Sequence, residues 1–500
     1  MADSCLTELR DVVTPASLLP KLKSTLSGHA LTMDGSPVAQ DVRVYRGPTA
    51  SSFEERWKTV LVTGYRGGGR GYTAMDVSDP LAPKFLWELD SELDPQLGYT
   101  FGEPALGTVF VADCTASGAS CEKGVAILPG GLPSTGVAGF SATRIGRVLY
   151  VVELETGKVL RRFDRWNDST GDEQVFPAPF SGSMAAFDVF ADATVSRAFV
   201  GDAAGNMWRI DMSSADLTEW KVTKFFDPIT TLELYSSGSG EPDPGTLDFG
   251  AIFYRPTIAL RRADGRAVVV FGYGNVDDLR SVDAEKNYVV SVVEKPIISN
   301  TTGLVTGIEG DMNWMLELAA NEKVSARPRI FDETAYFATF LPETGSASCS
   351  MGKARVYGID FQGTDAAERH IVDTIDRDVT FVPRLTEAPL DPTSVDKVPY
   401  WESGTVDASV IAENSIVYSL DITRPVSCYE TSAVSDPFGG SRVKFGGISD
   451  AGWSLQIGAS GQSAASDTAA SAQASSQTSV DLDTQKPLNS FPTSWGVIVE

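Results

Sequence analysis

Asp188 and Asp192 stand four residues apart in AAFDVFADATVSRAFV, spaced like the carboxylates of a degraded calcium loop. Two other stretches are rich in oxygen: Asp164–Glu173, folded around Gly171, and Asn275–Asp283. Each of these also reads as a plain solvated acidic loop. The chain has only two histidines, His29 and His370, so it offers no HExxH zinc motif and little material for a Cys/His or Ser/His/Asp arrangement. No G-x-S-x-G elbow occurs. The glycine run Gly67–Gly71 is not followed by GK[ST], which makes it a hairpin turn rather than a phosphate cradle. Of the five cysteines, Cys114 and Cys121 flank TASGAS between two expected strands and are read as a loop-closing disulfide. Cys349 and Cys428 form a second candidate pair, and Cys5 is left over. The spacings do not fit a zinc ribbon, and an oxidising compartment is expected.

These residues are carried by serial β units. Ala198-Phe199-Val200 is a short apolar run, Gly201–Asn206 a turn cluster, and Met207–Asp211 a second strand in which Trp208 and Ile210 alternate with Arg209. The pattern recurs. Val60–Val62 precedes Tyr72–Asp76, and Val148–Val152 precedes the turn Glu155–Lys158. Ala267–Gly272 is matched with Tyr288–Val293, Ala335–Phe340 with Arg355–Asp360, and Ser409–Ile411 with Ser415–Asp421. Hairpins that cannot bury both faces alone must stack, and a β-propeller stacks them radially while leaving only short edges. Helical periodicity is sparse, which argues against α/β layers. Long insertions at Cys114–Phe140, Asp164–Ser183, Ile229–Gly250 and Asp360–Thr405 are expected to decorate one rim. The organisation read from this is an N-terminal arm or linker remnant at 1–28 and an all-β propeller at 29–457. A low-complexity, disordered segment at 458–485 and a strand-like tail at 486–500 follow.

A formal charge of −25 argues against nucleic acid as a partner, because phosphate binding needs a basic face. No apolar run approaches the roughly 20 residues of a membrane helix. The first residues lack the charged and apolar regions of a signal peptide, so an export signal, if there is one, is expected outside this chain.

An ordered series of blocks resembles the C-terminal propeller region of the PilY family of type IV pilus tip-associated proteins. The series begins with Met33–Val38 and Trp57–Val62, then Gly67–Tyr72 leading to Asp76–Pro80, then Leu86–Glu88 and Leu97–Pro104. Its strongest block is Gly201-Asp202 with Gly205–Asp211. Phe271–Gly274, Ser325–Pro328 and Phe337–Phe340 before Cys349 complete it. The resemblance implies a modified quinoprotein-type propeller of about seven blades, exported to the cell surface or pilus tip. There it would associate with minor pilins, promote pilus assembly, and mediate surface adhesion and motility toward a surface or host-cell ligand. Sheet edges or the terminal strand would supply strand addition to a pilin.

The resemblance also implies a calcium loop with Asp188 at position 1, Asp192 at position 5, the Thr194 carbonyl at position 7 and Ser196 at position 9. Phe190 replaces the ligand at position 3 and Ala193 the glycine at position 6. Two carboxylates of four are missing, so the expected state is a metal-free loop held by packing, with calcium as the alternative. No catalytic residue is assigned. The enzyme alternative is a quinone-dependent dehydrogenase, which would need a calcium, a carboxylate and a stacking indole, whereas Trp87, Trp208 and Trp401 read as packing residues. A secreted propeller scaffold with an unrelated partner is the third reading.

Overall fold

The computed structural model describes residues 33–47, 55–112, 121–134, 143–168, 171–187, 194–229, 249–261, 264–274, 287–299, 301–331, 334–343 and 352–361. Beyond these it describes strand segments at 376–387, 399–413, 415–423, 431–435, 441–445, 453–461 and 476–482. The described residues fall into two compact units, one holding those up to Val324 together with 380–404, the other those of 325–379 and 405–493.

In the first unit, β1 (Val38–Arg46), β2 (Glu55–Gly64), β3 (Gly71–Asp76) and β4 (Lys84–Asp90) form an antiparallel meander. β5 (Ala105–Val111), β6 (Cys121–Pro129), β7 (Leu149–Glu153) and β8 (Val159–Phe163) form a second. Among the described residues, the strand pairing between the two is confined to Tyr45 and Arg46 opposite Lys123 and Glu122. A two-stranded ribbon, β9 (Arg165–Asn167) and β10 (Glu173–Val175), comes next. The third meander is β11 (Ala185–Phe187), β12 (Arg197–Gly201), β13 (Met207–Asp211) and β14 (Lys221–Phe226). The fourth is β15 (Thr257–Leu260), β16 (Ala267–Gly272), β17 (Tyr288–Ile298) and β18 (Val305–Glu317), after which comes β19 (Lys323–Val324).

The meanders stack face to face. Val60, Tyr72 and Trp87 of the first pack with Leu106, Leu128 and Tyr150 of the second. The opposite face of the second, with Val109, Ile127 and Val151, packs against Val200, Trp208 and Ile210 of the third. Phe199 and Met207, on the third meander's other face, meet Val269, Phe271 and Val290 of the fourth. Four-stranded antiparallel meanders in this arrangement are propeller blades. Both faces of an inner blade are covered, which is why β16 reads AVVVFG, all buried, rather than alternating. The same fact corrects the alternation expected at Met207–Asp211: Arg209 is buried along with Trp208 and Ile210.

The second unit contains β20 (Arg329–Phe331), β21 (Thr334–Leu341), β22 (Lys353–Asp360) and β25 (Ser415–Thr423), with β23 (Asp376–Glu387) only as far as Val379 and β24 (Pro399–Glu413) only from Thr405. β26 (Thr431–Ser435), β27 (Ser441–Phe445), β28 (Trp453–Gly461) and β29 (Ser476–Leu482) complete it. The expected Ala335–Phe340/Arg355–Asp360 hairpin is present, with Ala335 opposite Ile359. The expected pairing of Ser409–Ile411 with Ser415–Asp421 is not: Ser409 pairs with Val356, and β25 pairs with β28. Glu413 and Ser415 are separated by one residue, fewer than the two of the shortest common hairpin loop. In 458–485, expected from composition to be disordered, β29 pairs along β28 from Ala459 back to Trp453, and its Ser-Val-Asp-Leu alternation suits a strand. No helix among the described residues is long and apolar enough to cross a membrane.

Candidate functional site

The sequence-predicted calcium-loop residues belong to the connection between β11 and β12. Asp188 and Asp192, with Phe190 and Ala193, lie outside the described residues, between β11 and β12. The chain re-enters at Thr194. Val195 N donates to Thr108 O at 2.6 Å, tying the end of this loop to the second meander. Ser196 is buried; its N–H donates to Phe187 O at 3.3 Å and its carbonyl accepts from Met212 N at 2.8 Å. Its hydroxyl has no hydrogen-bond partner among the described residues. Of the proposed cation ligands, then, the structure places the Thr194 backbone and one unpartnered hydroxyl. With each carboxylate monodentate, two carboxylates, one carbonyl and one hydroxyl would supply four of the six to eight oxygens calcium takes, leaving bidentate carboxylates or water to supply the rest. Among the described residues no group of three or more His, Cys, Asp or Glu is placed to hold a metal.

The acidic stretch after β8 spends its carboxylates internally. Asp168 accepts from Asp172 N at 2.9 Å and Gln174 Nε2 at 3.0 Å, and Arg162 pairs with Asp164 at 2.8 Å. Asn275–Asp283 and Cys114 lie outside the described residues. Cys121 opens β6, is buried, and is disulfide-bonded. The glycine-rich run is a turn, as expected: Arg66–Gly68 is a single 3-10 turn, and Gly71 packs so closely under Tyr65 that a Cβ there would meet its ring at 2.4 Å.

The Gly-Asp…Gly-Asn-Met-Trp-Arg block has a defined geometry. Asp202 is fully buried in the β12–β13 turn. One carboxylate oxygen accepts from Ala204 N and Asn206 N, both at 2.9 Å. The other accepts from Asn206 Nδ2 at 2.9 Å and Trp208 Nε1 at 2.8 Å. Burial raises the Asp202 pKa, against the pull of these donors toward the ionised form. Gly205 closes the turn at φ +83°, and a Cβ there would meet the Tyr273 ring at 2.8 Å. Tyr273 OH donates to Gly205 O at 2.9 Å, so the turn is also fastened to the fourth meander. Trp208 then sits among Phe176, Trp166 and Phe180, edge-to-face at 5.0–6.1 Å. Trp208 and Trp87 are thus packing residues, as read from the sequence. The side chain of Trp401 lies outside the described residues.

A second polar cluster was missed by sequence reasoning. Arg209 Nε donates to Glu294 Oε1 at 2.9 Å, and its Nη1 to Asp211 Oδ2 at 3.0 Å. Arg197, the first residue of β12, pairs with the other Glu294 oxygen. Burial depresses the Arg197 pKa, opposed by Glu294. For Asp211, burial pushes upward but is outweighed by Arg209, and its pKa is lowered. Glu294 lies 85 residues beyond Arg209 in a strand that otherwise reads as apolar, so no local pattern announces the pair. A third group, Asp94, accepts from Arg162 Nε at 2.7 Å and Tyr150 OH at 2.8 Å. Each of these buried or half-buried carboxylates is taken up by donors of its own chain, which suits a framework.

Among known proteins, the family model described as the PilY1 β-propeller domain matches residues 21–308, more than half of the chain. Type IV pilus biogenesis factor PilY1 of Pseudomonas aeruginosa is 30% identical over 272 residues, covering 52% of this chain and 21% of that protein. A PilY1 homolog of Xylella fastidiosa is 24% identical over 354 residues, covering 62% and 22%. The crystal structure of the P. aeruginosa PilY1 C-terminal domain gives a TM-score of 0.46 at 19% identity, covering 79% of this chain and 87% of that one. The chain spans about a fifth of the length of these full-length relatives.

Proposed function

The chain belongs to the PilY1 β-propeller family, and from that premise we propose that it serves type IV pilus biogenesis as a non-enzymatic propeller at the cell surface or pilus tip. It associates there with minor pilins, promotes assembly of the pilus, and contributes to surface adhesion and motility. The observation that carries this reading is the family match across residues 21–308, which takes in the first three stacked meanders whole and β15 to β17 of the fourth. A framework role fits the way Asp202 and Glu294 are each held by fixed donors of the chain.

The test is genetic and biochemical together. Deleting the gene is expected to reduce surface piliation, and the full-length gene to restore it. Purified protein is expected to capture cognate minor pilins. Normal piliation in the deletion strain, with no capture of any minor pilin, would overturn the reading. A stoichiometric complex with an added quinone and calcium that reduces a dye would replace it with an oxidoreductase.

A further inference from the structure

The β17–β18 hairpin outgrows its meander. β16 pairs with β17 only as far as Val293, whereas β17 and β18 continue together from Glu294 opposite Gly310 to Ile298 opposite Val305. Beyond the sheet, Ile297, Ile298, Leu304 and Val305 are 43–68% exposed, and Leu260 at the end of β15 is exposed as well. The arm is nonetheless ordered at both ends. At its tip, Ser299 N donates to Leu304 O at 2.9 Å, Gly303 N to Ser299 O at 2.8 Å, and the Ser299 hydroxyl accepts from Thr302 N at 3.2 Å. At its base, Glu294 is clamped by Arg209 and Arg197, and Gly310 lies so close to the β14 backbone that a Cβ would meet Phe225 O at 2.3 Å. Four apolar side chains are thus held in water on a rigid support, an arrangement that lowers the cost of ordering them in a complex.

Charge identifies what covers the tip. The chain carries 107 charged residues in 500, yet Pro296–Ile308, PIISNTTGLVTGI, has none. Lys295 and Glu309, which bound it, face each other at 3.4 Å and neutralise one another. A second copy of the chain is disfavoured because each copy carries a formal −25. A lipid surface is disfavoured because the segment has no Trp, Tyr, Lys or Arg to anchor at a headgroup layer. Strand addition along the β17 edge of the arm is disfavoured too. Tyr288 O accepts from Tyr273 N, so the even-numbered residues of β17 turn their backbone groups toward the open edge, and there Pro296 has no N–H to give.

We propose that the β17–β18 arm docks side-chain first, through Ile297, Ile298, Leu304 and Val305, into an uncharged apolar pocket on another protein of the pilus. This deepens the minor-pilin reading above and rests on it. The four side chains act as the central anchors, and the acidic body around them forms a polar rim that meets a neutral or basic pocket edge.

The test uses the full chain, wild type beside Ile298→Ser/Leu304→Ser, with the soluble domain of each cognate minor pilin as probe. Leu81→Ser, at a 94% exposed leucine in the β3–β4 turn, controls for loss of an exposed apolar group elsewhere. Unfolding midpoints of both variants are expected to match wild type, since the substituted groups are already in water. Affinity is expected to fall on the order of tenfold or more in the arm variant and to stay unchanged in the control. Salt is expected to alter both affinities equally, because no charge is lost. Retained pilin binding by the arm variant overturns the arm while leaving the pilus reading in place. Absence of binding by wild type to every pilin overturns the pilus reading and the arm with it. Binding to phosphatidylcholine vesicles, or self-association in sedimentation, that is abolished by the arm variant replaces the protein pocket with lipid or a second copy.

Discussion

Arg209 Nε and Glu294 Oε1 are 2.9 Å apart, with both side chains at most 4% exposed, and the contact joins β13 of one blade to β17 of the next. Taking both charges out of water is costly, and only their mutual attraction and the added bonds to Arg197 and Asp211 offset it. Removing Glu294 takes away the carboxylate shared by Arg209 and Arg197 and leaves buried Arg209 with Asp211 alone of its two carboxylates. Glu294→Ala is expected to destabilise the chain by about 3–5 kcal/mol in denaturant unfolding. Replacing both partners together with apolar residues, Arg209→Met and Glu294→Leu, is expected to cost less than Glu294→Ala alone. A double variant less stable than the single would show that the pair does more than hold two blades together.

The Asp202 cage makes a separate claim. Trp208→Phe keeps an aromatic ring among Phe176, Trp166 and Phe180 but removes the Nε1 donor to Asp202. Its expected cost is about 1–3 kcal/mol, the loss of one hydrogen bond to a buried carboxylate whose oxygen still accepts from Asn206 Nδ2. Trp208→Ala is expected to cost about 3–5 kcal/mol, because it also opens a cavity. Equal losses in the two variants would place the energy in the hydrogen bond alone. A loss under about 1 kcal/mol for Trp208→Ala would contradict its burial between blades.

Local signals were enough to read much of this molecule from its sequence. The turn at Gly201–Asn206, the apolar run Ala267–Gly272 and the pairing of β21 with β22 each depend on residues close in the chain or on a plain strand pattern. Arg209 was misread as an outward residue because alternation assumes one wet face, and a blade covered on both sides has none. Its neutralisation depends on Glu294 in the next blade, which no window of sequence contains. The arm was missed for a related reason. Ile297 and Ile298 look like the continuation of a buried strand, and only the early end of β16 shows that nothing described covers them.

Asp94 links stability to pH. Burial pushes its pKa upward, but the bonds from Arg162, Gln96 N and Tyr150 outweigh that and hold it below the ordinary carboxylate range. The folded chain therefore binds this proton less readily than the unfolded chain. The resulting stabilisation is complete above the unfolded carboxylate pKa and is lost as pH falls from there through the lowered folded value. Asp94→Asn is expected to be less stable than wild type at neutral pH and to converge toward it on acidification across that window. A stability difference that stays constant with pH would mean that Asp94 acts through shape rather than charge.

Cys121 is disulfide-bonded at the start of β6, and the proposed partner is Cys114, which would close a short loop. Peptide mapping under non-reducing conditions is expected to recover Cys114 and Cys121 in one linked species. Reduction, or Cys114→Ser/Cys121→Ser, is expected to lower stability by about 2–3 kcal/mol on the chain-entropy account. A Cys121 linkage to any other cysteine would overturn the assignment.

Calcium gives the sharpest question about the β11–β12 loop. The sequence supplies carboxylates at Asp188 and Asp192, and the structure adds the Thr194 backbone and the unpartnered hydroxyl of buried Ser196. With monodentate carboxylates that set gives four of the six to eight oxygens calcium takes, and Phe190 stands at the position the resemblance assigns to a further ligand. Calorimetry on chelator-stripped protein is therefore expected to show no saturable calcium binding, and the unfolding midpoint to be the same with calcium as with chelator. Heat that saturates in wild type and vanishes in Asp188→Ala/Asp192→Ala would reverse this. The Ser196 hydroxyl would then be the group to change next, because Ser196→Ala removes a proposed ligand and breaks no hydrogen bond among the described residues. Affinity lost in Ser196→Ala with an unchanged midpoint in chelator would assign that hydroxyl to the ion.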